Sequence, residues 1–263
     1  MMRSLFVSAT GMGAQQRQID TVANNLANVA TTGYKKSRNN FEDLLYQVEK
    51  AAGSPSSQNT TIPVGIHHGH GVKHVSTEKI FTQGDMKNTG VELDLAIEGN
   101  GFFQILQPNG AIAYSRAGNF QRDQNGRIVT QNGFPLEPEL TVPQDARSIQ
   151  IGMDGTVSVL VGEDPLPTPI GTVQLARFAN PSGLTPLGKN LYTPTAASGN
   201  PVVDNPGVNG QGTLLQGFLE LSNVSVVDEM INMIIAQRAY EVNSKAIQAS
   251  DEMLQTANQI IRG

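Results

Sequence analysis

The stretch SNVSVVDEMINMIIAQRAYEVNSKAIQASDEMLQTANQIIR, residues 222–262, contains neither glycine nor proline. An uninterrupted segment of this length predicts a single helix about 60 Å long, at a rise of ~1.5 Å per residue. Apolar residues recur in it at seven-residue intervals, at Val226, Met233, Tyr240, Ile247, Leu254 and Ile261. A sustained apolar heptad is typical of a coiled-coil-like seam.

The other end of the chain carries the same spacing. Leu5, Met12, Ile19 and Leu26 are seven residues apart, with Val22 on an adjoining position. All 14 prolines lie between Pro55 and Pro206, so the two ends are predicted to be helical around a turn-rich middle. Periodicity alone fits two interpretations equally well: a coiled-coil seam, or two amphipathic helices on an ordinary globular core.

The surface of the N-terminal helix favours the first interpretation. Residues 4–34 contain only Arg17 and Asp20 as charged residues, whereas a solvated helix face is usually rich in charge. Amides occupy many of the remaining positions, at Gln15, Gln16, Gln18, Asn24, Asn25 and Asn28. Amide side chains can be buried with hydrogen bonds and without the cost of burying a charge, so we expect these faces to contact other subunits. Gly33 is predicted to cap the end of the helix.

The middle of the chain is predicted to be an antiparallel β domain. The segment VELDLAIEG alternates strictly, with Val91, Leu93, Leu95 and Ile97 on one face, and TVSVLV at 156–161 repeats the pattern. Asn-Gly or Asp-Gly pairs at 109–110, 125–126, 132–133 and 154–155 separate apolar runs. Such pairs are strong hairpin signals, because both central turn residues tolerate positive φ.

These patterns predict an α+β fold that is discontinuous in sequence. Residues 1–33 and 222–263 would form a helical coiled-coil domain, and 91–204 a β-rich outer domain. Residues 34–90 and 205–221 would connect them in an extended region. Within that region, residues 48–65 are polar and rich in turn formers, which predicts a long loop or extended arm.

Little in the sequence indicates catalysis or cofactor binding. The absence of cysteine excludes disulfides, thiol catalysis and thiolate metal sites. His67, His68, His70 and His74 fall within eight residues, but no carboxylate with helical ligand spacing accompanies them, so we interpret them as a solvated, pH-sensitive loop or strand. Ser115 and Ser158 lack a nucleophile elbow, and GNGFF at 99–103 is an incomplete phosphate-binding pattern. We therefore predict no enzyme activity, no cofactor and no metal.

Charge and hydropathy exclude two classes of partner. The formal net charge is -5 and no Lys/Arg-rich block occurs, which argues against nucleic acid. No apolar run approaches the roughly 18 residues of a membrane span, and Leu5 to Val7 is too short for the apolar region of a secretory signal. We expect a protein that is not membrane-embedded and that is exported, if at all, without a cleaved signal peptide.

Four blocks of sequence, in order, resemble one known family. They are ANNLANVATTGYKKSR, GNGFFQI, YSRAGNFQRDQNGRIVTQNGFPL and LELSNVSVVDEMINMIIAQRAYEVNSKAIQASDEMLQTANQII, which together reach both ends and cover well over half the chain. They resemble the bacterial flagellar axial proteins, which build the rod and hook. The opening MMRSLFVSATGM and the segment FEDLLYQ at 41–47 resemble a rod subunit of this family. Hook subunits, in addition, carry a much larger middle.

The resemblance implies a helical tube in the flagellar basal body, in the periplasmic space, with the helices lining an export channel and the β domain outside. The implied partners are copies of the same chain, other axial proteins such as proximal rod and hook subunits, surrounding ring or bushing proteins, and the export apparatus. The residues at seven-residue spacing, together with Val22, would form the subunit interface. Residues 48–65 would wedge between neighbours and keep the tube straight.

Two alternatives of other classes remain open on the residues alone. One is a surface enzyme whose β domain is catalytic and whose helical ends oligomerise; it would require a convergent polar site. The other is a coiled-coil adaptor with a peptide-binding β domain, which would form stable soluble oligomers at low concentration.

Overall fold

The computed structural model describes residues 2–57, 60–162 and 166–262. Contacts divide the chain into two compact units. One, the helical unit, comprises the chain up to Leu26, Ser37–Glu78, and the chain from Val226 onward; the other, the β unit, comprises Ala27–Lys36 and Lys79–Ser225. The finer division into helical, connecting and outer domains stays a prediction.

The helical unit contains two long helices and six strands. Its elements are α1 (Met2–Ala27), β1 (Ser37–Asp43), β2 (Gln47–Lys50), β3 (Pro55–Ser57), β4 (Thr60–Thr61), β5 (Ile66–His68), β6 (Val72–Lys79) and α2 (Val226–Arg262). The predicted helix in the C-terminal stretch is confirmed, but it begins at Val226 rather than Ser222. Ser225 directly precedes it, and Asp228 and Glu229 occupy its first turn, where the helix dipole stabilises negative charge.

The described residues of the predicted loop or extended arm at 48–65 include paired strands. β2 pairs antiparallel with β5, so that Gln47 lies opposite His68 and Val48 opposite His67. Farther out, β3 pairs antiparallel with β4. We call residues 47–68 the arm hairpin. Its outer residues carry few large apolar groups, so sequence periodicity did not show the pairing.

The β unit is built from short antiparallel strands. They are β7 (Met86–Asn88), β8 (Leu95–Glu98), β9 (Phe102–Leu106), β10 (Ile112–Ser115), β11 (Phe120–Arg122), β12 (Ile128–Thr130), β13 (Leu136–Glu137), β14 (Ala146–Ile151), β15 (Thr156–Val161), β16 (Thr168–Thr172), β17 (Leu175–Arg177), β18 (Thr185–Gly188), β19 (Leu191–Thr193), β20 (Val202–Asp204), β21 (Thr213–Gln216) and β22 (Phe218–Glu220). A short 3₁₀ helix spans Pro181–Gly183. With two helices at its ends and this β middle, the chain has an α+β fold.

One large sheet organises the core of the β unit. Its seven strands follow the order β18-β19-β10-β9-β17-β20, with β13 also paired to β9, and a separate three-stranded sheet has the order β14-β15-β16. β9 is buried on both faces: Phe103 packs into the main apolar cluster with Leu136 and Leu175, whereas Phe102 packs with Tyr114 and Phe178. Edge-to-face ring contacts join this second, aromatic cluster, with centroids 5.7 Å apart for Phe102 and Phe178.

Four turns of the β unit share one geometry. In each, the amide of a glycine donates to the carbonyl three residues back, as from Gly110 to Gln107 and from Gly126 to Asp123, both at 2.9 Å. Gly133 and Gly155 repeat this bond, and all four glycines have positive φ. The predicted turns are confirmed, but only the glycine is left-handed, as in a type I turn followed by a bulge.

The strand predicted in VELDLAIEG is shorter than its alternation suggests. Leu95 and Ile97 are buried, as predicted, but β8 begins only at Leu95 and Val91 is 52% exposed. The amide of Asp94 donates to the carbonyl of Val91 (3.2 Å), which turns the chain just before the strand. The prediction that Val91 shares the buried face is therefore wrong.

Gly33 does not cap α1, because the helix ends at Ala27. Gly33 instead lies in the β unit with φ of 68°, and its amide donates to the carbonyl of Glu220 at 2.8 Å. A Cβ at this position would lie 2.6 Å from the amide nitrogen of Ala117. Close backbone approach and a left-handed φ both require glycine here.

The β14 edge of the three-stranded sheet is covered by two side chains: Glu92, whose carboxylate accepts a hydrogen bond from the amide of Ile149 (3.1 Å), and Gln216. Gln216 accepts a hydrogen bond from the amide of Ile151 (3.1 Å) and donates one to the carbonyl of Ile149 (2.7 Å), so its amide group acts as a partner for β14. Covered edges do not pair with strands of other molecules.

Candidate assembly surface

The two long helices meet through small polar groups. Ser4 and Ser250 are joined by a hydrogen bond of 3.2 Å between their hydroxyl groups, and the backbone of Gly11 lies so close to Asn243 that a Cβ there would be 3.0 Å from its Nδ2. Because one residue number rises as the other falls, the helices run antiparallel at these contacts. The side of α2 that is buried in the chain also carries Glu229, Ala236 and Ser250.

The residues predicted to form a seam differ in burial. Val22 is buried, and seven others are half-buried: Leu5, Met12, Ile19, Leu26, Met233, Ile247 and Leu254. Val226 and Tyr240 are exposed, and the side chain of Ile261 lies outside the described residues. Coiled-coil pairing and the role of these residues as a subunit interface stay predictions.

A second apolar surface lies on the opposite side of α2. It consists of Val227, Met230, Ile231, Ile234, Ile235 and Val242, which we call the α2 outer stripe; Val227 is 67% exposed and Ile235 59%. These residues follow one another at intervals of one, three or seven, which places them on one broad face of a helix. Sequence reasoning missed this face because it followed only the seven-residue spacing. The run MINMII, with one polar residue in six, was the available signal.

Part of the amide-rich surface of α1 is used within the chain. Asn25 is buried; its Nδ2 donates to the carbonyl of Ser37 and its Oδ1 accepts from the amide of Ser37, both at 2.9 Å. Asn39 of β1 in turn donates to the carbonyl of Arg17 (2.9 Å) and to the hydroxyl of Thr21 (2.8 Å). These bonds attach α1 to β1, so the expectation that Asn25 contacts another subunit is wrong.

A buried ion cluster lies within the β unit. Lys35 Nζ lies 2.5 Å from Glu220 Oε1 and donates to the carbonyl of Thr82 at 2.6 Å. Arg116 Nε lies 3.3 Å from Glu220 Oε2, while its Nη1 donates to the carbonyl of Gly101 (2.9 Å). All three charged side chains are almost fully buried. Three of the sequence blocks quoted above, around residues 35, 116 and 220, therefore meet at one point.

The cluster contains more positive than negative groups, since the two cations Lys35 and Arg116 share the single carboxylate of Glu220. Burial lowers the pKa of Lys35, and the nearby Glu220 carboxylate opposes that shift. Burial likewise lowers the pKa of Arg116, again opposed by Glu220. Glu220 is thus the group whose negative charge opposes the effect of burial on both cations.

The histidines do not form one site. His68 of β5 and Glu49 of β2 form a cross-strand pair at 2.6 Å, and this hydrogen bond lowers the pKa of the Glu49 carboxyl. His74 lies on β6 and contacts Asn39 Oδ1 (3.3 Å) and the hydroxyl of Thr77 (3.2 Å). Within residues 2–57, 60–162 and 166–262, no three His, Asp or Glu side chains are grouped so as to hold a metal ion.

Ser115, one of the candidate nucleophiles, has a structural contact. Its hydroxyl donates to the carbonyl of Asn190 (2.9 Å) and accepts from the amide of Ala117 (3.1 Å). These bonds hold the turn after β10. Of the helices in the described part of the chain, none is both long and apolar enough to cross a membrane.

Three family models match this chain. They are described as Flagella basal body rod protein (residues 5–35), Flagellar hook protein FlgE/F/G D1 domain (96–159) and Flagellar basal body rod FlgEFG protein C-terminal (215–260). The first and third cover most of α1 and of α2, respectively, and the second contains β9 to β14.

Full-length relatives agree with these models. The flagellar basal-body rod protein FlgG of Buchnera aphidicola (from Acyrthosiphon pisum) is 51% identical over 260 residues, covering 99% of this chain and 100% of the relative. The rod protein FlgF of Caulobacter vibrioides is 34% identical, covering 98% and 97%. A solved structure of the Helicobacter pylori hook protein FlgE2 aligns with 70% of this chain and 43% of its own, at 15% identity and a TM-score of 0.25. On the full-length identities, the chain belongs to the flagellar basal-body rod protein family.

Proposed function

We propose that this chain is a structural subunit of the distal flagellar rod, which self-assembles into a helical tube and transmits torque. The observation that carries the proposal is the α2 outer stripe, an apolar face that a single chain leaves in water. Full-length identity to a relative named FlgG, higher than to one named FlgF, favours the distal rod over another rod protein of the family.

The energetics of the stripe support polymerisation. Burying one Ile or Val side chain is worth roughly 1.5–3 kcal/mol, and each subunit of a regular polymer repeats that gain. The β unit, by contrast, buries two apolar clusters between its own strands, while single residues such as Leu187 and Val202 stay exposed. Assembly through the helices therefore does not require these clusters to open.

We further propose that the helices enclose the export channel and that the β unit faces the surrounding ring or bushing proteins. Other partners would be the proximal rod and hook subunits and the export apparatus, in the periplasmic part of the basal body. The low charge of α1 supports the first assignment, because a channel wall with few fixed charges does not retain passing chains of either sign.

The arm hairpin is proposed to lie between neighbouring subunits and to stiffen the tube. Its paired strands resist bending better than an unpaired loop of the same length. Deletion of residues 51–63 should therefore give tubes that are curved or flexible in electron micrographs. Straight tubes from the shortened chain would count against this role.

The main experiment replaces Ile234 by Asp in the full-length chain. A carboxylate in the middle of the outer stripe should prevent polymer formation, seen by sedimentation and electron microscopy, while the circular dichroism of the monomer is retained. Asn232→Asp is the matched control, since Asn232 is exposed on the same helix but lies two residues from Ile234, on the other side of the helix. Normal polymers from the Ile234 variant would refute the proposal, and small stable oligomers of the unaltered chain would favour an adaptor.

A further inference from the structure

One exposed leucine lies at the tip of an ordered loop. Leu45, between β1 and β2, is 89% exposed. A backbone hydrogen bond holds the loop around it, because the amide of Leu44 donates to the carbonyl of Gly71 (2.9 Å). The backbone next to Leu45 is therefore held by a hydrogen bond while the Leu45 side chain remains in solvent.

The Tyr46 ring contributes to this order. It packs over Gly69, where a Cβ would lie 3.3 Å from the ring atom Cε1. Two acidic residues, Glu42 and Asp43, precede the leucine in the chain and are exposed. The loop thus combines one apolar side chain with adjacent negative charge.

A cavity of about 320 Å³ in the β unit has the complementary character. It is lined by the rings of Phe81, Phe102 and Phe178, and by Arg116 and Arg177. This volume is about ten times the ~30 Å³ that one water molecule occupies in the liquid, so a branched aliphatic side chain can enter. Among the described residues, the guanidinium of Arg177 makes neither an ion pair nor a hydrogen bond, and it is exposed.

We propose that Leu45 of one subunit inserts into the Phe81/Phe102/Phe178 cavity of a second copy of this chain, with Glu42 facing Arg177. The inference rests on the proposed function, since it assigns one contact of the homopolymer. The apolar side chain of Leu45 would contact the aromatic rings of the cavity, and the carboxylate of Glu42 would pair with the guanidinium of Arg177. Complementarity of this kind fixes the register between subunits. Because the loop and the cavity are different surfaces, the contact is head-to-tail, the type that generates open helical polymers.

Cross-linking tests the contact directly, because the chain has no cysteine of its own. Leu45→Cys and Ala179→Cys chains, the latter altered at the rim of the cavity, are mixed, polymerised and oxidised. We expect a covalent dimer that contains one chain of each kind and that is absent from the dilute mixture. Val75→Cys is the matched control, since Val75 is also exposed in the helical unit but lies outside the arm hairpin and the α2 outer stripe, and it should not cross-link to Ala179→Cys.

A second measurement covers the case in which the cysteine variants fail to polymerise. Leu45→Ala and Arg177→Glu should each raise the critical concentration for polymerisation about tenfold, Arg147→Glu should not, and Glu42→Arg should restore the Arg177→Glu chain. Polymers without the mixed dimer, or an unchanged critical concentration, would overturn the inference and leave the proposed function intact. An unaltered chain that never polymerises would contradict the proposed function itself.

Discussion

In the β unit, Phe103, Leu136 and Leu175 are completely buried, whereas on α2 of the helical unit Val227, Ile235 and Val242 are mostly exposed. Both sets are large apolar residues in regular elements. The β unit pairs its strands, covers the edge of β14 with Gln216 and closes two apolar clusters by itself. The helical unit buries small and polar groups between its helices and leaves the apolar stripe outside.

The difference indicates which part of the chain requires neighbours. A closed core gains little from association, whereas an exposed apolar face gains free energy for each side chain that a neighbour covers. The β unit is therefore expected to be stable in the monomer, and the helical unit to gain its full stability only in the polymer. Three predictions test this contrast, from the largest expected effect to the smallest.

Replacing Glu220 by Ala should have the largest effect on the β unit. It leaves Lys35 and Arg116 buried without an anion, which costs about 3–5 kcal/mol when a buried pair is broken. Urea unfolding of the monomer, followed by the fluorescence of the buried tyrosines, measures the loss. Glu139→Ala, at an exposed ion pair with Arg127, is the control and should change the unfolding free energy far less. Equal effects of the two changes would show that the buried cluster does not hold the β unit together.

Truncating one side chain in each unit tests the contrast itself. Leu175→Ala, in the core of the β unit, should lower the free energy of unfolding of the monomer by about 2–5 kcal/mol. Ile235→Ala, on the outer stripe, should change it by less than about 0.5 kcal/mol, as expected for an exposed position. The same Ile235 change should raise the critical concentration of the polymer. A monomer destabilised equally by both substitutions would contradict the assignment of the stripe as an uncovered surface.

The smallest effect concerns the pH dependence of the arm hairpin. The hydrogen bond from His68 lowers the pKa of Glu49 in the folded hairpin, so its stabilising contribution is present above the ordinary Glu pKa of about 4.3 and is lost as the pH falls through the lower folded value. The protection factors of the amides in β2 and β5, measured by NMR hydrogen exchange from about pH 6 to about pH 3 and corrected for the intrinsic pH dependence of exchange, should therefore fall toward the acid end. Glu49→Gln should remove this dependence, and an unchanged profile in that variant would disprove the role of the pair.

Short sequence patterns were sufficient to predict the helices, turns and strands that depend mainly on residues close together in the chain. The long helix in residues 222–262 followed from the absence of glycine and proline, and the turns at Gly110, Gly126 and Gly155 followed from a residue that accepts positive φ. Alternation identified Val157 and Val159 as core residues of β15, because successive side chains of a strand point to opposite faces of its sheet.

Sequence patterns predicted only part of the candidate assembly surface. The heptad identified positions on the helices that are half-buried in the monomer, but not the outer stripe, since spacing alone cannot say which side of a helix its own chain covers. The arm hairpin was also missed, because its pairing depends on backbone hydrogen bonds between residues such as Val48 and His67, with little apolar patterning.

From the sequence alone it follows that this chain has two long helical ends, a hairpin-rich β middle, no cysteine chemistry, and the blocks of a flagellar axial protein. Tertiary structure alone decided that Lys35 and Glu220, 185 residues apart, form a buried ion pair with Arg116 beside it, and that Asn25 contacts its own chain. It also decided which apolar face of α2 remains exposed. The physical reason is the range of the interactions: helix and turn preferences act over a few residues, whereas burial depends on which distant surfaces the folded chain brings together.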